Sequence, residues 1–143
     1  MTKPQLLFDS NVIYKLIRET PETALDKLME GTTIFLAYYE LGNALWRECL
    51  LLKRISIEEA EKSLSLMYAM LARMNVTSLN IDKGNEILDV AHKFKLTFYD
   101  SSYLVEAKLN NKTLVTDDNK LAKAAENLGL ETLSSNALVN SRM

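Results

Sequence analysis

Cysteine, histidine, proline and glycine are all scarce in this 143-residue chain, with one, one, two and four copies. The single thiol, Cys49, excludes an intrachain disulfide and fits a reducing compartment. With Cys49 and His92 as its whole supply, the chain cannot build a Cys/His zinc site. His92 falls in a helical stretch with no partner in view, so a solvent-edge or packed histidine is expected. No window reaches the ~18 apolar residues that suggest a membrane span, and "MTKPQLLFDS" holds too short an apolar run for a signal peptide. A cytoplasmic protein without a membrane partner is the expectation. Charge of one sign is missing too: 17 basic and 19 acidic residues leave a net −2. No global basic field advertises nucleic acid, so any surface for a polyanion has to be local.

The 143 residues suggest one domain with mass enough for a hydrophobic core, and 48% hydrophobic and 25% charged residues are ordinary for a globular protein. With so few glycines and prolines, few long loops are expected, and no linker, repeat or low-complexity tract is visible. Gln5 to Phe8 reads as a strand and Val12 to Arg18 as a helix. "ETPETALDKLMEG" gives a second short helix ending at Gly31, and "TTIFLA" a strand. Tyr39 to Arg54 reads as one long helix. Ser56 and Glu59 form a capping box that opens another, running to about Met74. "VTSLNI" is extended, a helix covers about Asp82 to Phe94, "LTFY" is short and apolar, and Asp100 to Leu109 is helical. "TLVT", a helix over Asn119 to Leu128, and a last strand in "LETLS" complete the chain. Strands alternating with helices predict an α/β fold, a parallel sheet of about four to five strands covered on both faces.

Sites in such sheets form beyond the carboxyl ends of the strands. Asp9 follows "QLLF", Asp100 follows "LTFY", Asp117 and Asp118 follow "TLVT", and Glu40 lies soon after "TIFL". Each acid alone suits a helix N-terminus as a cap or dipole partner, worth ~1 kcal/mol or less. Together they are harder to explain, because Ser, Thr and Asn cap without charge. Two carboxylates ~4 Å apart repel by about 4 kcal/mol at an effective dielectric near 20. A cation would relieve that repulsion, and an all-carboxylate donor set suits Mg2+ or Mn2+. In the doublet, one Asp is expected to face the cluster and its neighbour to point away.

At these residues the sequence resembles the PIN-domain ribonucleases, most closely the VapC-type toxins of prokaryotic toxin–antitoxin pairs. "LLFDSNVI", "YYELGNAL", "TFYDSSYLVEAK" and "LVTDDNKL" carry the resemblance, in order and over nearly the whole chain. It implies a three-layer α/β/α PIN-like domain over residues 1–143. It also implies a metal-dependent endoribonuclease that uses Mg2+ or Mn2+, a homodimer, and a cognate antitoxin that blocks the acidic groove. The family's four acids map onto Asp9, Glu40, Asp100 and Asp118 as catalytic and metal-holding residues. Asp118 is chosen over Asp117 on the family's Thr-any-Asp pattern counted from Thr116. Asn11, Thr116 and Asp117 stand beside them in supporting positions.

Two other phosphate chemistries gather acids at strand ends. A haloacid-dehalogenase-type phosphatase would need a second Asp where Asn11 stands. A receiver-like phosphoacceptor would carry its acid pair after the first strand rather than a late one. A PIN fold kept for binding alone is the third alternative. Elsewhere, Trp46 is expected in the core or lining a partner groove. "LSLMYAMLARM" (64–74) is apolar on nearly every side, so it is expected either to be partly covered by another chain, with Met67, Met70 and Met74 suited to an adaptable interface, or to be a well-buried core helix. Lys53, Arg54, Lys93, Lys95, Lys112, Lys120 and Lys123 are candidates to hold phosphates, or simply a solvated face.

Overall fold

The computed structural model describes residues 5–140. The central strand β1 (Leu6–Phe8) pairs in parallel with β2 (Gly31–Ile34) on one side and β4 (Thr113–Val115) on the other. The edges are β3 (Asn75–Thr77) beside β2 and β5 (Thr132–Leu133) beside β4, giving the all-parallel order β3-β2-β1-β4-β5. The helices are α1 (Ser10–Glu19), α2 (Pro21–Leu28), α3 (Leu36–Trp46), α4 (Ile57–Leu71), α5 (Gly84–Phe94), α6 (Phe98–Leu109), α7 (Asn119–Asn127) and α8 (Ser135–Val139). This is the three-layer α/β/α arrangement expected of the alternating pattern.

The pleat of the short strands separates two cores. Leu6, Phe8 and Val115 face one way and meet Val12, Ile13, Leu41, Met67 and Leu71 from α1, α3 and α4. Leu7 and Leu114 face the other way and meet Ile87, Tyr103, Leu104 and Leu121 from α5, α6 and α7. Burial on both faces explains why these strands read as apolar runs rather than as alternation.

The strand order also locates the site. From β1 the chain moves outward to β2 and β3, then returns to β1's other flank to lay down β4 and β5. Connections leave β1 and β4 in opposite directions, which opens a crevice at their carboxyl ends. The Asp9 amide bridges that crevice, donating to the Val115 carbonyl at 3.1 Å.

Several local expectations are corrected. "LTFY", placed before Asp100 among the strand ends, is not a strand: Thr97 caps α6, its Oγ1 accepting from the Asp100 amide at 3.0 Å, so Asp100 stands inside the first helical turn. Helix α3 begins at Leu36, which moves Glu40 into its second turn. Its continuation over Arg47–Leu51 widens into a π turn instead of reaching Arg54. Gly31 opens β2 rather than closing the helix before it. A Cβ there would stand 2.2 Å from the Phe8 ring, so close packing requires glycine. Met67, Met70 and Met74 are buried in the core and cannot form an interface, whereas the outer side of α4 leaves Leu66 and Tyr68 exposed.

Candidate active site

Asp9 leaves β1 as the N-cap of α1. Its Oδ1 accepts from the Val12 amide at 2.9 Å, and its Oδ2 accepts from the hydroxyl of Thr116, which leaves β4. The carboxylate is therefore pinned across the crevice from both strands. Burial pushes its pKa up to about 6, with the Asp117 and Asp100 charges adding to the rise and the two hydrogen bonds opposing it.

A pocket of about 320 Å3 opens beside it, lined by Asp9, Asn11, Glu40, Arg47, Asp100 and Tyr103 among others. Glu40 and Arg47 lie two turns apart on one face of the α3 segment, with Asn43 and Ala44 between them. Glu40 Oε1 accepts from the Tyr103 hydroxyl at 2.6 Å and from Ser10 Oγ at 3.0 Å. Burial first, and then the Glu40 charge, push the Tyr103 phenol far up, so it stays a donor at any ordinary pH. Asp100 enters from α6. Burial raises its pKa, the Asp118 carboxylate raises it further, and the Thr97 hydroxyl opposes.

The aspartate doublet divides. Asp118 caps α7, its Oδ1 accepting from the Lys120 and Leu121 amides at 2.9 and 3.1 Å, and its charge is felt at Asp100. Asp117 turns away to α8, where it accepts from the Ser135 amide at 2.7 Å and the Ser135 hydroxyl at 2.6 Å, with Lys15 at 3.8 Å. Burial would raise Asp117, but Ser135 and Lys15 outweigh it and hold the carboxyl below its usual range. Neither member of the doublet contributes to the pocket lining.

Asp9, Glu40 and Asp100 thus share one pocket, and Asp118 reaches it by its field. Among the described residues no ion pair engages Asp9, Glu40 or Asp100. Nor do any three His, Cys, Asp or Glu side chains gather closely enough to hold an ion between them. The donor set still suits a hard divalent cation of the kind held by one or two carboxylates plus waters. Asp9 and Asp100 are hard oxygen donors outside any ion pair among the described residues, and burial shifts both upward, a shift that a bound cation would oppose.

Ser10 and Tyr103 were not singled out in the sequence. The available signals were the "DSN" triplet, which sets Ser10 between Asp9 and Asn11, and "DSSY", which sets Tyr103 three residues after Asp100. Of the candidate phosphate holders, none lines the pocket, and Lys112 and Lys120 donate instead to Thr32 Oγ1 and the Lys95 carbonyl. Arg47 is the cation at the rim. Trp46 is 46% exposed and lines an apolar groove with Cys49, Leu50 and Ile57, so it is not a core residue. His92 is exposed.

The fold and crevice define an α/β/α protein with a carboxylate site at a topological switch point. A family model described as "PIN domain" matches residues 6–127. The chain is 36% identical over 101 residues to the protein named Exonuclease VapC9 of Pyrobaculum aerophilum, covering 70% of this chain and 71% of that one. The crystal structure of PAE2754 from Pyrobaculum aerophilum is similar with TM-score 0.76 and 28% identity, covering 95% of each chain. The structure of VapBC2 from Rickettsia felis, bound to a DNA fragment from their promoter, matches with TM-score 0.67 over 91% of this chain and 98% of that one. At 16% identity this last likeness speaks for the fold alone. The chain belongs to the PIN-domain family and is of the VapC type.

Proposed function

We propose that the chain is the toxin of a toxin–antitoxin pair, a divalent-metal-dependent endonuclease that hydrolyses RNA. Family membership sets aside the receiver and phosphatase alternatives and supports hydrolysis of nucleic acid. The observation that carries the finer reading is the shared pocket of Asp9, Glu40 and Asp100, where Arg47 is the one basic side chain in the lining and, among the described residues, no ion pair engages the three carboxylates. Asp9 and Asp100 would hold Mg2+ or Mn2+, with Asp118 adding negative field from the far side. A bound divalent ion supplies Lewis acidity toward a scissile phosphate and makes a nearby water easier to deprotonate.

The rest is the chain's own work. Thr116 and the Val12 amide fix the Asp9 carboxylate. Tyr103 and Ser10 hold one oxygen of Glu40, leaving the other to accept a proton from the attacking water. Arg47 stands at the rim, where a phosphate of the strand would pass. In-line attack by that water would form one P–O bond and break the P–O3′ bond, and the departing 3′-oxygen would take up a proton, leaving 5′-phosphate and 3′-hydroxyl ends.

Regulation follows from two surfaces on the α3 segment. The Trp46, Leu50 and Ile57 groove suits an apolar segment of the antitoxin, and a basic side chain of that partner would enter the acidic pocket in place of the cation. A homodimer belongs to the same reading, and sedimentation of the purified chain measures it.

The deciding substrate is a closed circular RNA, because the Pyrobaculum relative is named an exonuclease. With Mn2+ or Mg2+ the wild-type chain should linearise the circle, and EDTA should stop it. Asp100→Asn keeps size and capping ability but removes a charge, and should slow the cut ~100-fold or more. An intact circle beside a shortened linear RNA would replace the endonuclease with an exonuclease. Equal rates for wild type and Asp100→Asn would remove the site.

A further inference from the structure

A second concavity lies on the same two helices as the acidic pocket. It has a volume of about 210 Å3, with Ile34, Phe35, Phe98, Tyr99 and Val105 among its apolar walls and Lys83 and Glu106 among its polar lining. Helix α6 serves both sites: Tyr99 lines the cleft and the next residue, Asp100, lines the acidic pocket. Helix α3 does likewise, with Leu36 in the cleft and Glu40 one turn on in the pocket. The two sites are neighbours across a single helical ridge.

The chemistry of the cleft is specific. Phe35, Phe98 and Tyr99 leave 48%, 37% and 59% of their surface exposed and line one cleft, an exposed apolar patch of the kind that marks a binding site. Phe35 is already ordered, its ring 5.1 Å from that of Tyr38 and 6.1 Å from that of Tyr39. The polar group is charged and nearly buried. Glu106 accepts from Lys83 Nζ at 3.1 Å, Thr77 Oγ1 at 3.2 Å and Asn110 Nδ2 at 3.0 Å. Glu106 is thereby satisfied, whereas among the described residues Lys83 uses one of the three N–H donors of an ammonium. The cleft therefore offers planar apolar walls and spare donors. About 210 Å3 is below the ~300–1,000 Å3 of pockets that enclose a drug-sized ligand, and suits one ring system.

We propose that this cleft is a nucleobase subsite. It takes one unstacked base of a single-stranded RNA, adjacent to the phosphate held in the acidic pocket, with an acceptor edge of the base toward Lys83. The ligand class rests on the nuclease reading. Base–aromatic stacking tolerates any base because each has a π-face, and a donor in the cleft lining favours bases that present carbonyl or ring-nitrogen acceptors. Splaying one base into the cleft would hold the sugar–phosphate on one side of the ridge while the neighbouring phosphate lies on the other.

The test separates base binding from cleavage. Anisotropy of a labelled single-stranded ribo-oligonucleotide is followed in EDTA with wild type, Tyr99→Ala and Ser102→Trp, the last filling the cleft from its wall. Both variants should bind at least about five-fold more weakly, the smaller end of what one lost base stack costs. An abasic strand of equal length should bind all three proteins alike. Unchanged affinity in both variants overturns the subsite, even if RNA is cut normally. So does conversion of a dimer to a monomer by either variant with affinity per chain unchanged, since a second copy would then own the cleft. Binding that depends on Tyr99 without any metal-supported cleavage would retain the subsite and remove the nuclease reading.

Discussion

Tyr103 is 1% exposed and donates its hydroxyl to Glu40 Oε1 across 2.6 Å, while Ser10 donates to the same oxygen at 3.0 Å. One carboxylate oxygen is thus held twice, and the orientation of the other is set by a phenol that does not ionise. Tyr103→Phe removes that hold and little volume. Hydrogen bonds to charged groups contribute about 1.5–3 kcal/mol, so the variant should unfold somewhat earlier. In single-turnover cleavage kcat should fall ~10-fold or more while KM for RNA stays near wild type. A lowered melting temperature with an unchanged kcat would make the contact structural alone.

The doublet gives opposite expectations for neighbouring residues. Asn caps a helix as well as Asp, so Asp118→Asn should melt like wild type yet lose at least ~10-fold in cleavage rate. Asp117→Ala should do the reverse. It releases two hydrogen bonds from Ser135 and should cost about 1–3 kcal/mol of stability, read by urea unfolding, with cleavage retained below the transition. The partly exposed Lys15 contact should add little to that loss. Equal activity losses in both variants would show that Asp117, too, faces the reaction.

Acidity reports on Asp9. Its folded pKa of about 6 lies above the ordinary 3.8, so between those values the folded state binds the extra proton. Its contribution to stability is therefore complete below pH 4 and is lost as pH rises through 6. Two pH units at ~1.4 kcal/mol each give about 3 kcal/mol. Asp117 works in the opposite direction, stabilising above its unfolded pKa and losing that effect on acidification. Metal-free wild type should be compared with Asp9→Asn by denaturant unfolding from pH 4 to 7. The difference between the two curves should slope downward with pH for the wild type, and a flat difference would place Asp9 in a solvated site.

Divalent metal should reverse that slope. An ion that binds the folded site and scarcely binds the unfolded chain stabilises by RT ln(1 + [L]/Kd), about 2.7 kcal/mol at one hundred times Kd. Titrating Mn2+ or Mg2+ at pH 7 should raise the melting temperature of wild type and leave that of Asp100→Asn in place. No rise for wild type at millimolar metal would argue that the carboxylates do not form a cation site.

The layered fold and the acids at the sheet edge were legible because burial on both faces leaves β1 and β4 as apolar runs that stop at Asp9 and at Thr116–Asp118. The error at "LTFY" has an identifiable cause. Thr97 and Asp100 stand in the Thr-x-x-Asp spacing of a capping box, a helix signal that the apolar residues between them concealed. The start of α3 was hidden for a related reason: Phe35, Leu36 and Ala37 suit a strand or a helix equally, and no capping side chain marks the change. Tyr103 and Ser10 could not be paired with Glu40 from spacing, since their contacts join residues 63 and 30 positions apart. The division of the doublet depended on Ser135, far downstream on α8, and the sequence around Asp117 contains nothing that names it.

The edge strands have a consequence for how this molecule meets others. β3 offers three residues and β5 offers two, so each presents a ladder too short to template another chain. Strand addition at either edge is thereby discouraged, and the helical layers make up the larger part of the surface left for association.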